Sequence, residues 1–158
     1  MGVSGVGKTT IGEALAARLG WNYLDADDYH PAANVAKMAA GTPLQDTDRW
    51  PWLDKLNSVL AKEKDAVLGC SALKQAYRER LTAGLKEFRI VYLHGDFELL
   101  RRRAEGRKHR YMPASLLKSQ FDALEPPLGA IEIDVAQPLE DCVRAILAAL
   151  GKKGRAIP

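Results

Sequence analysis

Residues 2–9 read Gly2-Val3-Ser4-Gly5-Val6-Gly7-Lys8-Thr9, the pattern Gly-x-x-x-x-Gly-Lys-Thr. The glycines let successive backbone N–H groups turn inward around a polyphosphate. Lys8 can reach the β- and γ-phosphate oxygens, and the Thr9 hydroxyl can bind Mg²⁺. Thr10 and the helical segment behind it would direct their positive dipole end at the same anion. The stretch therefore predicts the phosphate-binding loop of a nucleoside triphosphatase or kinase, with residues 2–10 contacting the nucleotide.

A phosphate-binding loop normally follows a buried strand, but only Met1 precedes this one. A parallel sheet without an interior strand would leave backbone groups of its neighbours unpaired, each costing on the order of 1–3 kcal/mol. We therefore expect that the first strand is missing from the recorded chain. Either the recorded start lies downstream of the true one, or residues before Met1 were lost; a sheet that lacks this strand is the disfavoured alternative.

Size and composition are those of one globular domain, residues 1–158, with 47% hydrophobic residues and a net charge of +3. No stretch of 18 apolar residues is present, so we expect no membrane span. The basic clusters at 101–103 and 107–110 lack interleaved aromatic residues, which argues against nucleic-acid binding. The two cysteines, Cys70 and Cys142, fit a reducing cytoplasm. Composition leaves open whether the protein is a homodimer.

Apolar runs alternate with helical patterns, which is typical of an α/β fold with a parallel sheet covered by helices on both faces. We predict strands at 21–24, 66–70, 89–93 and 131–135. Predicted helices follow the phosphate loop and occupy 31–40, 48–62, 97–104, 113–124 and 139–150, with one more through Tyr77 and Leu81. A helical substrate-binding region is expected at about 28–62, and a lid at about 104–113.

Asp25 and Asp27 stand at the end of the first predicted strand, at the sheet edge where α/β folds bind ligands. One carboxylate could hold Mg²⁺ through water while the other accepts the proton of an attacking hydroxyl. A turn or helix cap is the structural alternative. His30 could reach the same crevice, or it could be a solvated cap.

Basic residues follow two further predicted strands. Lys74 and Arg78 are one helical turn apart, so they could bind an anionic substrate or be solvated. Arg103, Arg107, Lys108 and Arg110 lie between two helices. They could form a mobile lid whose guanidinium groups stabilise a transferring phosphoryl group, or a solvated loop.

Several patterns are absent from the sequence. It has no Asp-x-x-Gly or Asn-Lys-x-Asp motif, which disfavours a GTPase switch. The strand at 66–70 has no terminal Asp-Glu pair, which disfavours a motor or AAA-type ATPase. A small-molecule kinase remains the best interpretation.

Taken together, the chain resembles the gluconokinase family, the short phosphate-loop type related in fold to shikimate and nucleoside-monophosphate kinases. The resemblance extends over the whole chain. The matching segments are residues 2–9, 25–31, Asn34, 37–38, 41–44, Asp46, 48–49, 51–53, 70–74, 77–78, 120–121 and 124–125.

The resemblance implies transfer of the γ-phosphoryl group of ATP to the 6-hydroxyl of D-gluconate. It implies catalytic roles for Lys8, Asp27 and Arg107, and an outer-shell Mg²⁺ role for Asp25 beside Thr9. Arg103 and Gln137 are implied at the nucleotide, Gln137 in a loop similar to the one that lines the adenine. Candidate ligands of the sugar acid are Asp27, His30, Arg49, Lys74 and Arg78.

The predicted lid departs from the family pattern. The family usually reads Arg-x-Gly-His-Phe-Met-Pro, whereas residues 107–113 read Arg-Lys-His-Arg-Tyr-Met-Pro. The loss of the glycine changes what can be expected of lid motion. A shikimate- or nucleotide-type small-molecule kinase, or a nucleotide-binding protein without turnover, is the alternative.

Overall fold

The computed structural model of the chain describes residues 1–105, 114–152 and 154. Within these residues the chain forms seven α-helices and four β-strands. The strands are β1 (Asn22–Asp25), β2 (Ala66–Gly69), β3 (Val91–His94) and β4 (Ile131–Asp134). The helices are α1 (Lys8–Leu19), α2 (Ala32–Ala39), α3 (Asp46–Leu60), α4 (Gln75–Thr82), α5 (Phe97–Glu105), α6 (Ala114–Ala123) and α7 (Leu139–Ala149).

The strands form two parallel pairs, β1 with β2 and β3 with β4. Asp25 is opposite Gly69 in the first pair, and His94 is opposite Asp134 in the second. The carboxyl ends of paired strands therefore coincide, and the segments that follow them lie at one edge of each pair.

Residues 1 and 2 lie between the two strand pairs. The backbone nitrogen of Met1 donates to the Val91 carbonyl at 2.6 Å, and the Leu93 nitrogen donates to the Met1 carbonyl at 2.9 Å. The Gly2 nitrogen donates to the Ser71 carbonyl at 3.3 Å. Among the described residues no strand precedes the phosphate loop, and Met1 occupies the position between β2 and β3 where a first strand was expected.

Two apolar clusters lie on opposite faces of the strands. One joins α1, α5, α6 and α7 to β3 and β4, and the other joins α3 and α4 to the segment after β2. Successive side chains of a strand point to opposite faces. In β2, Val67 packs against the first cluster and Leu68 packs against the second, so the clusters lie on opposite faces of this strand. The predicted α/β fold with helices on both faces is thereby confirmed.

The four predicted strands and the predicted helices are present, and the predicted ends are shifted by at most two residues. A short 3-10 helix, Ala26–Tyr29, was not predicted. The predicted lid lies largely outside the described residues, and the proposed division of the chain into regions stays a prediction. Among the described helices, none is both long and apolar enough to span a bilayer.

Candidate active site

The phosphate loop has the backbone shape that its glycines permit. Gly5 and Gly7 have φ values of 83° and 97°, in the left-handed region where a side chain is unfavourable. At Gly2, a Cβ atom would lie 2.4 Å from the Leu93 carbonyl oxygen. Lys8 follows the turn, and its Nζ donates to the Gly2 and Val3 carbonyls at 3.0 Å each. The lysine ammonium is therefore held over the concave side of the loop, where phosphate oxygens would bind.

Thr9, at the start of α1, faces the end of β1. Its Oγ1 donates to Asp25 Oδ2 at 3.5 Å, while Asp25 Oδ1 accepts the Asp27 backbone N–H at 3.0 Å. Asp25 thus caps the 3-10 helix, as the structural alternative expected. Its role at Mg²⁺ stays a prediction. A hydroxyl and a carboxylate are hard oxygen donors suited to Mg²⁺, which usually takes one or two protein oxygens beside phosphate and water. The described residues contain no group of three or more His, Cys, Asp or Glu side chains placed to hold a metal.

The contact between α1 and the first strand pair depends on two glycines and Tyr23. A Cβ atom on Gly12 would lie 2.4 Å from Tyr23 Cε2, and one on Gly69 would lie 2.2 Å from the Tyr23 hydroxyl. The ring therefore fills the space that the glycines leave, beneath the helix that begins at the phosphate loop. Burial raises the pKa of Tyr23, so its hydroxyl is protonated at neutral pH. This packing sets the position of Thr9 relative to Asp25.

His30 is held beside Asp27 by Trp52 and Asn34. Its ring stacks on Trp52 with centroids 4.2 Å apart, and its side chain is only 5% exposed. Asn34 Nδ2 donates to the Asp48 carbonyl at 2.9 Å, which sets the orientation of the amide, and the same nitrogen lies 3.4 Å from His30 Nδ1. His30 Nδ1 is therefore the acceptor and Nε2 carries the proton, because the amide nitrogen can only donate. That Nε2 lies 3.9 Å from Asp27 Oδ1.

A second polar cluster surrounds Asp46 at the start of α3. The carboxylate accepts the Tyr77 hydroxyl and lies 3.2 Å from Lys74 Nζ and 3.4 Å from Arg49 Nη1. Both cations also lie over the Tyr77 ring, each 5.4 Å from its centroid. The hydrogen bonds from Tyr77 and Lys74 lower the pKa of Asp46, and the bond to Asp46 raises the pKa of Lys74. Asp46 and Lys74 are therefore both charged at neutral pH. The cluster brings two of the predicted acid ligands, Arg49 and Lys74, together.

Arg78 is placed differently from the other predicted ligands. The residue is 7% exposed, and its Nη1 donates to the Ala72 carbonyl at 3.1 Å and to the Leu73 carbonyl at 3.0 Å. Ala72 has a φ of 41°, which is unfavourable for a residue with a side chain. Arg78 therefore stabilises a strained turn that leads to Lys74. Lys74 and Arg78 have different partners, since one side chain reaches Asp46 and the other reaches backbone within its own segment. Substrate binding by either residue stays a prediction.

On the nucleotide side, two predicted residues converge on the segment after β4. Arg103 Nη2 donates to the Val135 carbonyl at 2.9 Å, and Gln137 Nε2 donates to the Asp134 carbonyl at 2.9 Å. Both side chains therefore lie beside the segment that follows β4. Their contact with the nucleotide stays a prediction. Arg107, Lys108 and Arg110 lie outside the described residues.

Several polar residues at the site were among the segments that carry the resemblance but received no predicted role. They include Asn34, Asp46, Tyr77, Gln120 and Glu125. Gln120 forms two hydrogen bonds with Ser4 of the phosphate loop, 116 residues away. The sequence signal that could have revealed this role is the polar side chain of Gln120 on the otherwise apolar inner face of α6.

Comparison with known proteins identifies the family. An AAA domain family model matches residues 1–127. The chain is 45% identical over 175 residues to a probable gluconokinase of Xenopus tropicalis, with 97% of this chain and 92% of that protein covered. It superposes on a gluconokinase from Sinorhizobium meliloti with a TM-score of 0.88 and 43% identity, covering 96% of this chain and 89% of the other. The chain belongs to the AAA domain family and to the gluconokinases.

The same comparisons settle the fold relationship. A shikimate kinase from Bacteroides thetaiotaomicron superposes with a TM-score of 0.67 at 18% identity, covering 96% of each chain, which supports the predicted fold alone. The sequence patterns disfavoured an AAA-type motor. The AAA domain model matches residues 1–127, which include the phosphate loop, and the relatives described above are gluconokinases. The predicted membership of the gluconokinases is confirmed.

Proposed function

We propose that the protein transfers the γ-phosphoryl group of ATP to the 6-hydroxyl of D-gluconate, which yields 6-phosphogluconate. The observation that carries this proposal is the contact between Thr9 Oγ1 and Asp25 Oδ2, 3.5 Å apart. It brings the end of the phosphate loop and the carboxyl end of β1 together, so that a triphosphate and an acceptor hydroxyl can meet beside Asp27. Both the fold and the family membership support it.

The nucleotide side of the site is built from the phosphate loop. Backbone N–H groups of the phosphate loop would bind the phosphate oxygens, apart from those of Gly2, Ser4 and Val6, which donate within the protein. Lys8 would neutralise the β- and γ-phosphates. Thr9 and Asp25 are the residues that would hold Mg²⁺, which supplies positive charge to the phosphate oxygens when it is bound. Arg103 and Gln137 would contact the nucleotide from the segment after β4.

The acceptor side is formed by Asp27 and the Asp46 cluster. Asp27 would accept the proton of the attacking hydroxyl and hold that oxygen in line. The His30 Nε2–H faces Asp27 Oδ1, so His30 would orient this carboxylate as well as line the acceptor pocket. Arg49 and Lys74 would bind the acid group of the substrate.

The buried position of Arg78 supports a positioning role for this residue, through the turn at Ala72 and Leu73. A catalytic role for Arg107 stays a prediction. A cytoplasmic location and a homodimer also stay predictions.

The test is a coupled assay of ADP release with gluconate, other sugar acids, shikimate and nucleoside monophosphates as acceptors. We expect turnover with gluconate that is lost in Lys8→Ala, because water cannot replace the ammonium charge in a closed site. Activity with shikimate or a nucleotide and none with gluconate would overturn the substrate. ATP binding by calorimetry without any acceptor-dependent ADP would identify a binding protein without turnover. Lys8→Ala turnover within about tenfold of the parent would contradict the role of the lysine.

A further inference from the structure

One end of α6 contacts the phosphate loop. Gln120 Oε1 accepts the Ser4 backbone N–H at 2.7 Å, and Gln120 Nε2 donates to Ser4 Oγ at 3.1 Å. A single amide therefore fixes both the backbone and the side chain of the third residue of the loop. The position of Ser4 in the loop is thereby set by a residue from a distant helix.

Five residues later, the same segment contacts the acceptor side. The Glu125 backbone N–H donates to the Leu73 carbonyl at 2.9 Å, and Glu125 Oε2 accepts the Gln75 backbone N–H at 2.5 Å. Gln75 is the first residue of α4, where a carboxylate is favoured by both the free N–H groups and the helix dipole. These two bonds lie on either side of Lys74, the cation that reaches Asp46.

The segment between these contacts is anchored in the protein core. Phe121 and Leu124 pack against the apolar cluster that contains β3 and β4, and the Phe121 ring lies edge-on to Phe97 with centroids 5.5 Å apart. The residues between Gln120 and Glu125 are held by this packing. A shift of Gln120 with the phosphate loop would therefore also shift Glu125 and its contacts with Leu73 and Gln75.

We propose that residues 120–125, which we call the α6 bracket, couple the two halves of the active site. Gln120 positions Ser4 for the triphosphate, and Glu125 positions the turn that carries Lys74 for the acid. Binding of the nucleotide therefore favours the arrangement that binds the second substrate, and the reverse holds by linkage. The identity of the second substrate rests on the proposed function, whereas the bracket itself does not.

Calorimetry tests the coupling directly. Gluconate affinity is measured with and without a non-hydrolysable ATP analogue and Mg²⁺, and the ratio of the two affinities is the coupling factor. For the parent we expect a factor in the range of about 5–150, as in other coupled sites. Gln120→Ala and Glu125→Ala should each reduce it to about one, and the double variant should be no lower, because both contacts belong to one connection.

Matched variants separate this role from general stability. Lys118→Ala removes an exposed ion pair with Asp122 on the same helix and should keep the parental factor. Glu125→Gln keeps an acceptor oxygen for the Gln75 N–H, so it should retain more coupling than Glu125→Ala. If Gln120→Ala does not fold, Ser4→Ala removes the same side-chain bond from the opposite partner. A parental factor of one, or single variants with the parental factor, would overturn the proposal.

Hydrogen exchange gives a readout that needs no acceptor. Binding of the ATP analogue alone should increase the protection of the backbone amides at 73–78 in the parent, and this increase should be absent in Gln120→Ala. If the parent does not bind gluconate but shows this pattern, the proposed substrate is wrong and the bracket holds. If the analogue binds the parent without changing protection at 73–78, or if Gln120→Ala keeps the full increase, the bracket is wrong whatever the substrate.

Discussion

Replacement of Arg78 by methionine would decide between two roles for this side chain. In the structure its Nη1 donates to the carbonyls of Ala72 and Leu73 at 3.1 and 3.0 Å. Hydrogen bonds from a charged donor contribute about 1.5–3 kcal/mol each. The two bonds share one nitrogen, and the Leu73 carbonyl keeps its bond from the Glu125 N–H. The Ala72 carbonyl is therefore the group that Arg78→Met leaves without this donor.

We expect Arg78→Met to lower the free energy of unfolding by about 2–3 kcal/mol. At about 2–4 °C per kcal/mol for a domain of this size, the melting temperature should fall by roughly 4–12 °C. Urea denaturation followed by circular dichroism measures this loss. Arg78→Lys is the matched control, since it keeps the charge and a donor of similar reach. Both variants are also assayed for gluconate turnover. If Arg78→Met is within about 0.5 kcal/mol of the parent and raises the gluconate KM about tenfold, Arg78 binds the substrate and the positioning role is wrong.

Three further outcomes are expected. Asp27→Asn should lower kcat by about 10²–10⁴-fold, while Asp25→Asn should mainly raise the Mg²⁺ requirement; equal losses over a grid of Mg²⁺ and gluconate concentrations would contradict this division. Burial lowers the pKa of His30 from its ordinary 6.5, so the unfolded chain takes up the proton first. The free energy of unfolding is therefore higher above pH 6.5, where His30 is neutral in both states. It falls as the pH drops below 6.5, by at most about 1.4 kcal/mol per pH unit. Urea denaturation at pH 7.5 and 5.5 should show this loss in the parent and not in His30→Phe, and equal losses would refute it. Gly12→Ala should destabilise the fold by urea denaturation, because overpacking against Tyr23 costs about 1–3 kcal/mol and exceeds the gain of about 1 kcal/mol in helix propensity; a more stable variant would be the contrary result.

The fold could be predicted from the sequence because its determinants are local. The phosphate loop fixes its own turn through glycines, and each strand is a short apolar run between turn residues. Asp25 and Asp27 could be placed at the sheet edge for the same reason, since they directly follow the first predicted strand. The 3-10 helix at Ala26–Tyr29 was missed, because four residues give no periodic pattern.

The arrangement around the acceptor could not be predicted in the same way. The helical spacing of Lys74 and Arg78 is correct, but the burial of Arg78 depends on how α4 packs on the turn after β2. The contact between Gln120 and Ser4 joins residues 116 positions apart, which no local pattern encodes. Residues that act through such contacts are visible in a sequence only as unexplained polar positions in apolar helices.

The charge of the acceptor side connects these contacts to the choice of substrate. Asp46 is ionised, because hydrogen bonds from Tyr77 and Lys74 lower its pKa. Burial raises the pKa of Tyr77, so that side chain is neutral. Two cations, Arg49 and Lys74, and one carboxylate therefore leave one net positive charge, which matches a monoanionic acid better than the dianionic phosphate of a nucleoside monophosphate. Asp46 also holds both cations against the Tyr77 ring, so less side-chain entropy remains to be lost when the acid binds. In the proposed site, a carboxylate would thus contribute to the recognition of another carboxylate, through the positions of the two cations and the net charge that they present.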